Sequence, residues 1–320
     1  MGAAILRAVF RYLAVVRFQQ PPQLSAGKSG GRFVLIAPPE ASLIRGVLSS
    51  PAAATKPAPV GAVWHPAPVS PGSTDPNLKV VIYAGGGGFV LGWDPDQNSA
   101  NVSAVATKHF GVTNVLYMQY RLASDKNPFP AAVQDLFTTY QYVLDLGVAS
   151  RDIVVMGDST GANLVLALLR YLAEHGLPQP GGTTAFSPWV EVTSEAVQRY
   201  NRSTARGYDI LDVPLLEWAL EVYRPRGKTL KAEEEAYVSP LNHPFRLETP
   251  LFIDSGSLEG FYESISIFAR QMAEIEGNST HFNTSVGMPH DFFLTYPILG
   301  TKEEASAVLE RAKNFLDGQI

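Results

Sequence analysis

Ile153 to Leu164 (Ile-Val-Val-Met-Gly-Asp-Ser-Thr-Gly-Ala-Asn-Leu) constrains the fold more tightly than any other stretch. A short apolar strand runs into Gly157-x-Ser159-x-Gly161 and out into a helix, the pattern of a sharp strand-to-helix turn that exposes a serine hydroxyl in front of a helix N-terminus. Glycine suits both flanking places because a side chain there would strike the neighbouring strand or helix. Ser159 is therefore read as a nucleophile, against the plainer reading of a serine used only as a helix N-cap. The spacing alone does not decide the matter, since Gly27-Lys28-Ser29-Gly30-Gly31 repeats it. No apolar strand precedes that second copy and no helical periodicity follows it, so it reads as a flexible loop. After Ser159, by contrast, Leu164, Leu166, Leu168, Leu169 and Leu172 continue a buried helix that stops at Gly176.

At 320 residues, 46% hydrophobic and 17% charged, the chain can bury a sizeable α/β core. Its net charge of −5 argues against a nucleic-acid partner, which would want a basic face. The absence of cysteine excludes thiol chemistry, disulfides and cysteine-based metal sites. Met1 to Phe18 is apolar but is interrupted by Arg7, Arg11 and Arg17. Leu6, Val9, Phe10, Leu13 and Val16 recur at helical spacing, so a helix docked on the core is expected in preference to a secretory leader or a membrane-surface helix. No stable membrane insertion is expected, and the default compartment is cytoplasmic. Four Asn-x-Ser/Thr sequons, at Asn101, Asn201, Asn278 and Asn283, carry no weight without secretion.

Strands are expected at 60–65, 78–84, 113–119, 152–156, 183–186, 250–254 and 280–286, with helices between most of them. That rhythm implies right-handed crossovers and a mostly parallel sheet. The second strand runs into Gly85-Gly86-Gly87-Gly88-Phe89. No Lys-Ser/Thr follows as a phosphate loop would need, so the better use of these bare amides is an oxyanion hole. The rhythm breaks over 190–246, which is helix-prone around Leu215 to Tyr223 and charge-rich at Lys228 to Glu235. An insertion covering one edge of the sheet would look like this, and with the N-terminal helix it could form a lid. The chain thus divides into an N-terminal helix and cap segment (1–58) and a core (59–320) interrupted by that insertion.

A serine hydroxyl needs a base, and the base an orienting carboxylate. His290 follows the last strand on Gly287-Met-Pro-His290, whereas His281 lies inside it, so His290 is the expected base. For the acid, Glu259 sits on the loop after the strand at 250–254 and is preferred to Asp254 in its body, which stays open as the alternative. Glu263 reads as a solvated face, and Asp158 as a structural hydrogen-bonding group.

Several stretches taken together resemble one family. They are Ala84 to Gly92 with Phe89, Tyr120-Arg-Leu-Ala123 with Pro128 to Ala132, Gly157 to Asn163, Ser187-Pro-Trp189, Ser239-Pro-Leu241 and Gly287 to His290. In order, over roughly residues 60 to 318, they are similar to the hormone-sensitive-lipase-like branch of the α/β-hydrolases. The resemblance implies an eight-stranded, mostly parallel sheet with a helical cap, and a carboxylesterase without metal or cofactor. It makes Ser159 the nucleophile, His290 the base and Glu259 the acid, a place where the family often has Asp. It gives Gly86, Gly87 and the Thr160 N–H as the oxyanion hole. The chain departs from the family's His-Gly-Gly-Gly at Gly85, which removes the histidine that braces the loop; Ser124 replaces a usual proline.

The expected chemistry is acyl transfer from a small apolar ester to water, with Phe89, Trp189, Trp218, Phe261 and Phe292 lining the pocket. No cofactor, metal or nucleic acid is expected, and a homodimer is left open. Two rivals stand beside this. One is a natural-product biosynthetic enzyme that uses the same triad for cyclisation, dehydration or acyl transfer; the other is a small-molecule receptor on a disabled scaffold.

Overall fold

The computed structural model describes residues 1–49 and 55–318. Its eight strands are β1 (Phe33–Ile36), β2 (Val60–His65), β3 (Val80–Ala84), β4 (Asn114–Gln119), β5 (Ile153–Asp158), β6 (Gly182–Phe186), β7 (Leu251–Gly256) and β8 (Thr280–Ser285). They form one sheet in the order β1-β2-β4-β3-β5-β6-β7-β8. β2 runs antiparallel to β1 and β4, and every other pairing is parallel. The helices are α1 (Gly2–Val15), α2 (Pro95–Phe110), α3 (Ala131–Asp145), α4 (Ser159–Glu174), α5 (Ser194–Arg202), α6 (Val213–Tyr223), α7 (Ala232–Val238), α8 (Tyr262–Ala273), α9 (Phe292–Leu299) and α10 (Lys302–Leu316). The chain has the α/β-hydrolase fold.

The central strands β3 and β5 are buried along their whole length, as strands covered by helices on both faces must be. Their register pairs Ala84 with Gly157, so the loop that leaves β3 and the turn that leaves β5 emerge side by side. α4 is buried from Ser159 to Leu172, apolar nearly all round because it packs between the sheet and α3 and α7. Residues 190–246, between β6 and β7, supply α5, α6 and α7, and α1 lies against α6 and α9.

Several elements, β1, α2, α5 and α9 among them, are absent from the expectation. β1 is a four-residue antiparallel edge strand, too short for a period to show. α2 opens on Pro95-Asp-Gln-Asn and has little apolar periodicity; Asp94 caps it by accepting the N–H groups of Asp96 and Gln97. α9 carries Pro297 inside it, which sequence rules treat as a breaker. Two readings are corrected. Gly27–Arg32 forms a short 3-10 turn with Ser29 buried, not an open loop. On α1, Leu6 is buried and Phe10 and Leu13 half-buried as expected; Val9 is about half covered, and Val16, just past the helix, is exposed along with Ile5, Tyr12 and Val15. Among the described residues no helix is long and apolar enough to cross a membrane.

The elbow glycines are fixed by contact. A Cβ on Gly161 would sit 2.0 Å from the Ala84 carbonyl oxygen, and one on Gly157 would sit 2.7 Å from the Gly161 carbonyl. Both obstacles are backbone and cannot rotate away. Gly161→Ala is expected to destabilise the fold by about 3 kcal/mol through overpacking, read as a lower urea midpoint with an unchanged m-value.

Asp254, buried in β7, accepts hydrogen bonds from Asn283 (2.5 Å) and Ser285 (2.8 Å), while its second oxygen has no partner. Burial pushes this carboxyl up to about 7, against the pull of those two donors. The folded state then holds a proton that the unfolded chain gives up near pH 4, so stability should fall as pH rises from about 4 through 7. Asp254→Asn should flatten that slope in denaturation midpoints measured at pH 4.5 and 7.5.

Candidate active site

Ser159 sits at the end of β5 with φ +51°, the left-handed conformation that a sharp elbow imposes on a side-chain-bearing residue. Its Oγ lies 2.8 Å from His290 Nε2, and His290 Nδ1 lies 2.7 Å from Glu259 Oε2. All three residues are at most 5% exposed. Glu259 leaves the loop after β7, as anticipated, and its other oxygen accepts the Ser255 hydroxyl. The alternative acid, Asp254, is occupied with Asn283 and Ser285, and Glu263 is exposed. His281 stacks on Phe252 within the sheet. Residues 131 positions apart in the chain are thus joined by an unbroken hydrogen-bonded chain of hydroxyl, imidazole and carboxylate.

The imidazole is unusually surrounded by anions. Burial alone would pull its proton affinity down, but Asp291 and Glu259 outweigh that and hold His290 well above its ordinary value. Burial pushes the Glu259 carboxyl up, and its bonds to His290 and Ser255 draw it back.

The four-glycine segment is anchored despite the missing histidine. The Tyr120 hydroxyl donates to the Gly85 carbonyl (2.8 Å), and Trp93 Nε1 donates to that of Gly86 (2.9 Å). A Cβ on Gly85 would lie 2.9 Å from the Tyr117 hydroxyl oxygen, so Tyr117 fills the space that a side chain at position 85 would take. Asp158 accepts the Gly86 N–H (2.9 Å) through one oxygen and the Tyr83 hydroxyl (2.5 Å) through the other. The Gly86 amide, expected to face an oxyanion, is therefore already engaged. The amides of Gly87 and Thr160 have no acceptor among the described residues, and Thr160 lies in the first turn of α4, where N–H groups have no intrahelical partner.

A cavity of about 370 Å³ opens at these groups. Ser159, His290, Asp291, Asp158, Tyr83 and Tyr117 form its polar side, and Leu6, Val9 and Phe10 of α1, Leu215 of α6, and Leu294 and Ile298 of α9 its apolar side. A larger depression of about 550 Å³ between α1 and residues 201–212 contains neither the serine nor the imidazole. None of the five aromatic residues assigned to the pocket lines the cavity. Phe89 stacks on Tyr223 at 3.6 Å, and Trp189 stacks on Phe261 at 5.5 Å. Phe261 meets the His290 ring edge-on at 5.6 Å. Trp218 and Phe292 are buried in the two hydrophobic clusters. These rings form the packing behind the site, and its wall is made by aliphatic side chains with four other rings, Phe10, Tyr83, Trp93 and Tyr117, because composition reveals aromatic supply but not which face a ring turns to.

Asp209 escaped the sequence reading altogether. Fully buried in the 190–246 segment, it accepts the N–H groups of Ile210 (2.8 Å), Gly260 (2.9 Å) and His290 (3.1 Å). One carboxylate thereby clasps both the loop bearing Glu259 and the loop bearing His290. No motif spacing marks it; only a carboxylate in an otherwise apolar stretch, Tyr208-Asp-Ile-Leu211, hinted at a buried role. Asp209→Asn replaces one acceptor with a donor opposite these amides. Labelling of Ser159 by a fluorophosphonate should then slow by about 100-fold, the cost of a misplacement near 1 Å.

A family model described as the alpha/beta hydrolase fold matches residues 81–294. An acetyl-hydrolase of Streptomyces hygroscopicus is 28% identical over 240 residues, covering 74% of this chain and 75% of that protein. An esterase of Acinetobacter venetianus is 28% identical over 216 residues, 67% of each chain. Among solved structures, a hyperthermophilic esterase from Pyrobaculum calidifontis superposes with a TM-score of 0.69 at 21% identity, over 99% of this chain and 92% of that one. Elbow, strand order and matched sequence agree, and the chain belongs to the α/β-hydrolase family.

Proposed function

We propose that this protein is a serine carboxylester hydrolase of the hormone-sensitive-lipase-like branch, acting on small apolar esters through Ser159, His290 and Glu259. The observation that carries the reading is the pair of short hydrogen bonds, 2.8 Å and 2.7 Å, that link the three side chains at the wall of an apolar cavity. The names of the related proteins, an acetyl-hydrolase and an esterase, support the reaction class.

In the mechanism, Ser159 Oγ attacks the ester carbonyl as its proton passes to His290 Nε2. Glu259 holds Nδ1–H and balances the imidazolium charge. The developing oxyanion lies against the amides of Gly87 and Thr160, where no side chain obstructs its approach, and the Gly86 amide joins them to the extent that Asp158 releases it. His290 returns the proton to the leaving alkoxide, and water then repeats the sequence on the acyl-enzyme. Because Tyr120, Trp93 and Asp158 fix the glycine loop, these donors need little reorganisation despite the loss of the loop histidine. The 190–246 segment and α1 act as a cap whose aliphatic side chains receive the apolar part of the substrate. At about 370 Å³ the cavity is near the lower end of small-molecule sites, which suits short acyl groups better than long ones.

Hydrolysis of p-nitrophenyl esters should be fastest for acetate to butyrate and fall away for long chains, and Ser159→Ala should lower kcat by about 10⁶-fold. Near-native ester cleavage by the Ser159→Ala protein would refute the nucleophile.

A further inference from the structure

The residue after the imidazole has a geometry that the mechanism above leaves unused. Asp291 Oδ2 lies 3.3 Å from His290 Nε2, the same nitrogen that meets the serine hydroxyl. With Glu259 at Nδ1, one buried imidazole has a carboxylate on each side. The placement is built in. Asp291 adopts φ +49°, its N–H donates to Ser187 Oγ (3.2 Å), and its carbonyl accepts the N–H and hydroxyl of Thr295. A left-handed backbone is costly for a residue with a side chain, and it is held here at the one place that turns this carboxylate toward Nε2.

We propose that Asp291 is a positioning residue that acts through His290: it stabilises the imidazolium formed when Ser159 gives up its proton, and so sets the pH range in which the serine is active. The inference rests on the ester-hydrolase reading. Asp291 neither gains nor loses a proton in the cycle. The proton moves from Ser159 Oγ to Nε2 as the Oγ–carbon bond forms, and from Nε2 to the leaving oxygen as the ester C–O bond breaks. Having a carboxylate beside Nε2 makes the imidazole a stronger base and also leaves it protonated, and idle, over more of the acidic range. The other groups facing the ring do not supply this effect at Nε2. Glu259 engages Nδ1, and Asp209 binds the backbone N–H of residue 290. Asp158, held by Tyr83 and Gly86, also meets Asp291; burial and that neighbouring carboxylate push the Asp158 carboxyl well up, so it keeps a proton and adds no charge at Nε2. Arg7, which lines the neighbouring depression, donates to the main-chain carbonyls of Arg206 and Asp209. The elevated proton affinity of His290, with Asp291 the strongest of the groups that raise it, agrees with the geometry.

Asp291→Asn tests this, because Asn keeps the shape and tolerates the left-handed backbone while removing the charge. Three readouts are compared between pH 5 and 10: kcat/KM for p-nitrophenyl acetate, the rate of fluorophosphonate labelling, and the NMR titration of the His290 ring, assigned against His290→Gln. The acid limb of activity and labelling and the ring titration should all move down by about one to three pH units in the Asp291→Asn protein. Its relative activity should therefore rise at acidic pH as its alkaline plateau falls. A ring titration that does not move overturns the proposal, as does a uniform loss of rate with an unmoved acid limb. If the unsubstituted protein neither labels nor hydrolyses, the ester-hydrolase reading fails by itself, and the ring titration still decides whether Asp291 controls His290.

Discussion

The contact on which the site depends is the approach of Gly161 to the Ala84 carbonyl, a place with no room for a Cβ. It brings the start of α4 against the end of β3, which sets the elbow serine beside the glycine loop. Everything polar in the site is arranged around that contact. Asp158 and Thr160, on either side of Ser159, each bond the loop, to Gly86 and to Phe89. Parallel strands order the rest, since the loops after β3, β5, β7 and β8 all leave the same edge of the sheet.

What could be read from the chain follows from how local each signal is. The elbow is written in five consecutive residues, Gly157 to Gly161, and the alternation of strands and helices repeats often enough to indicate a mostly parallel sheet. His290 and Glu259 were legible because each follows a recognisable strand. Asp209 was not, since two of its three partners are amides 51 and 81 residues away in the chain. The pocket aromatics failed for a related reason. A ring at 89 or 189 is equally at home in a wall or behind it, and only the completed packing of Phe89 on Tyr223 shows which. The replacement of the loop histidine was visible as a loss at Gly85, but its substitute is Tyr117, from the adjacent strand, whose hydroxyl occupies the space.

The electrostatics of the site are one-sided. Asp158, Asp209, Glu259 and Asp291 gather around a single buried imidazole; Asp158, Asp209 and Glu259 are each offset by amide or hydroxyl donors more than by cations, whereas Asp291 Oδ1 has no partner among the described residues. Amide donors are rigid and do not titrate, so they hold carboxylates in place without exchanging protons with the imidazole.

The grip of Asp209 also bears on how a ligand gets in. A cover that swung away as a body would carry this carboxylate with it and leave two amide hydrogens of the reactive loops, at 260 and 290, without an acceptor. Opening of that kind would release the loops that carry Glu259 and His290 from their shared anchor. At the seam between α1 and α9, Val9 and Ile298 are at once half in water and part of the cavity wall, so the cavity meets solvent there. The first helix is tied to the same insertion by Arg7, which donates to the carbonyls of Arg206 and Asp209, so helix and insertion form one cover over the cavity.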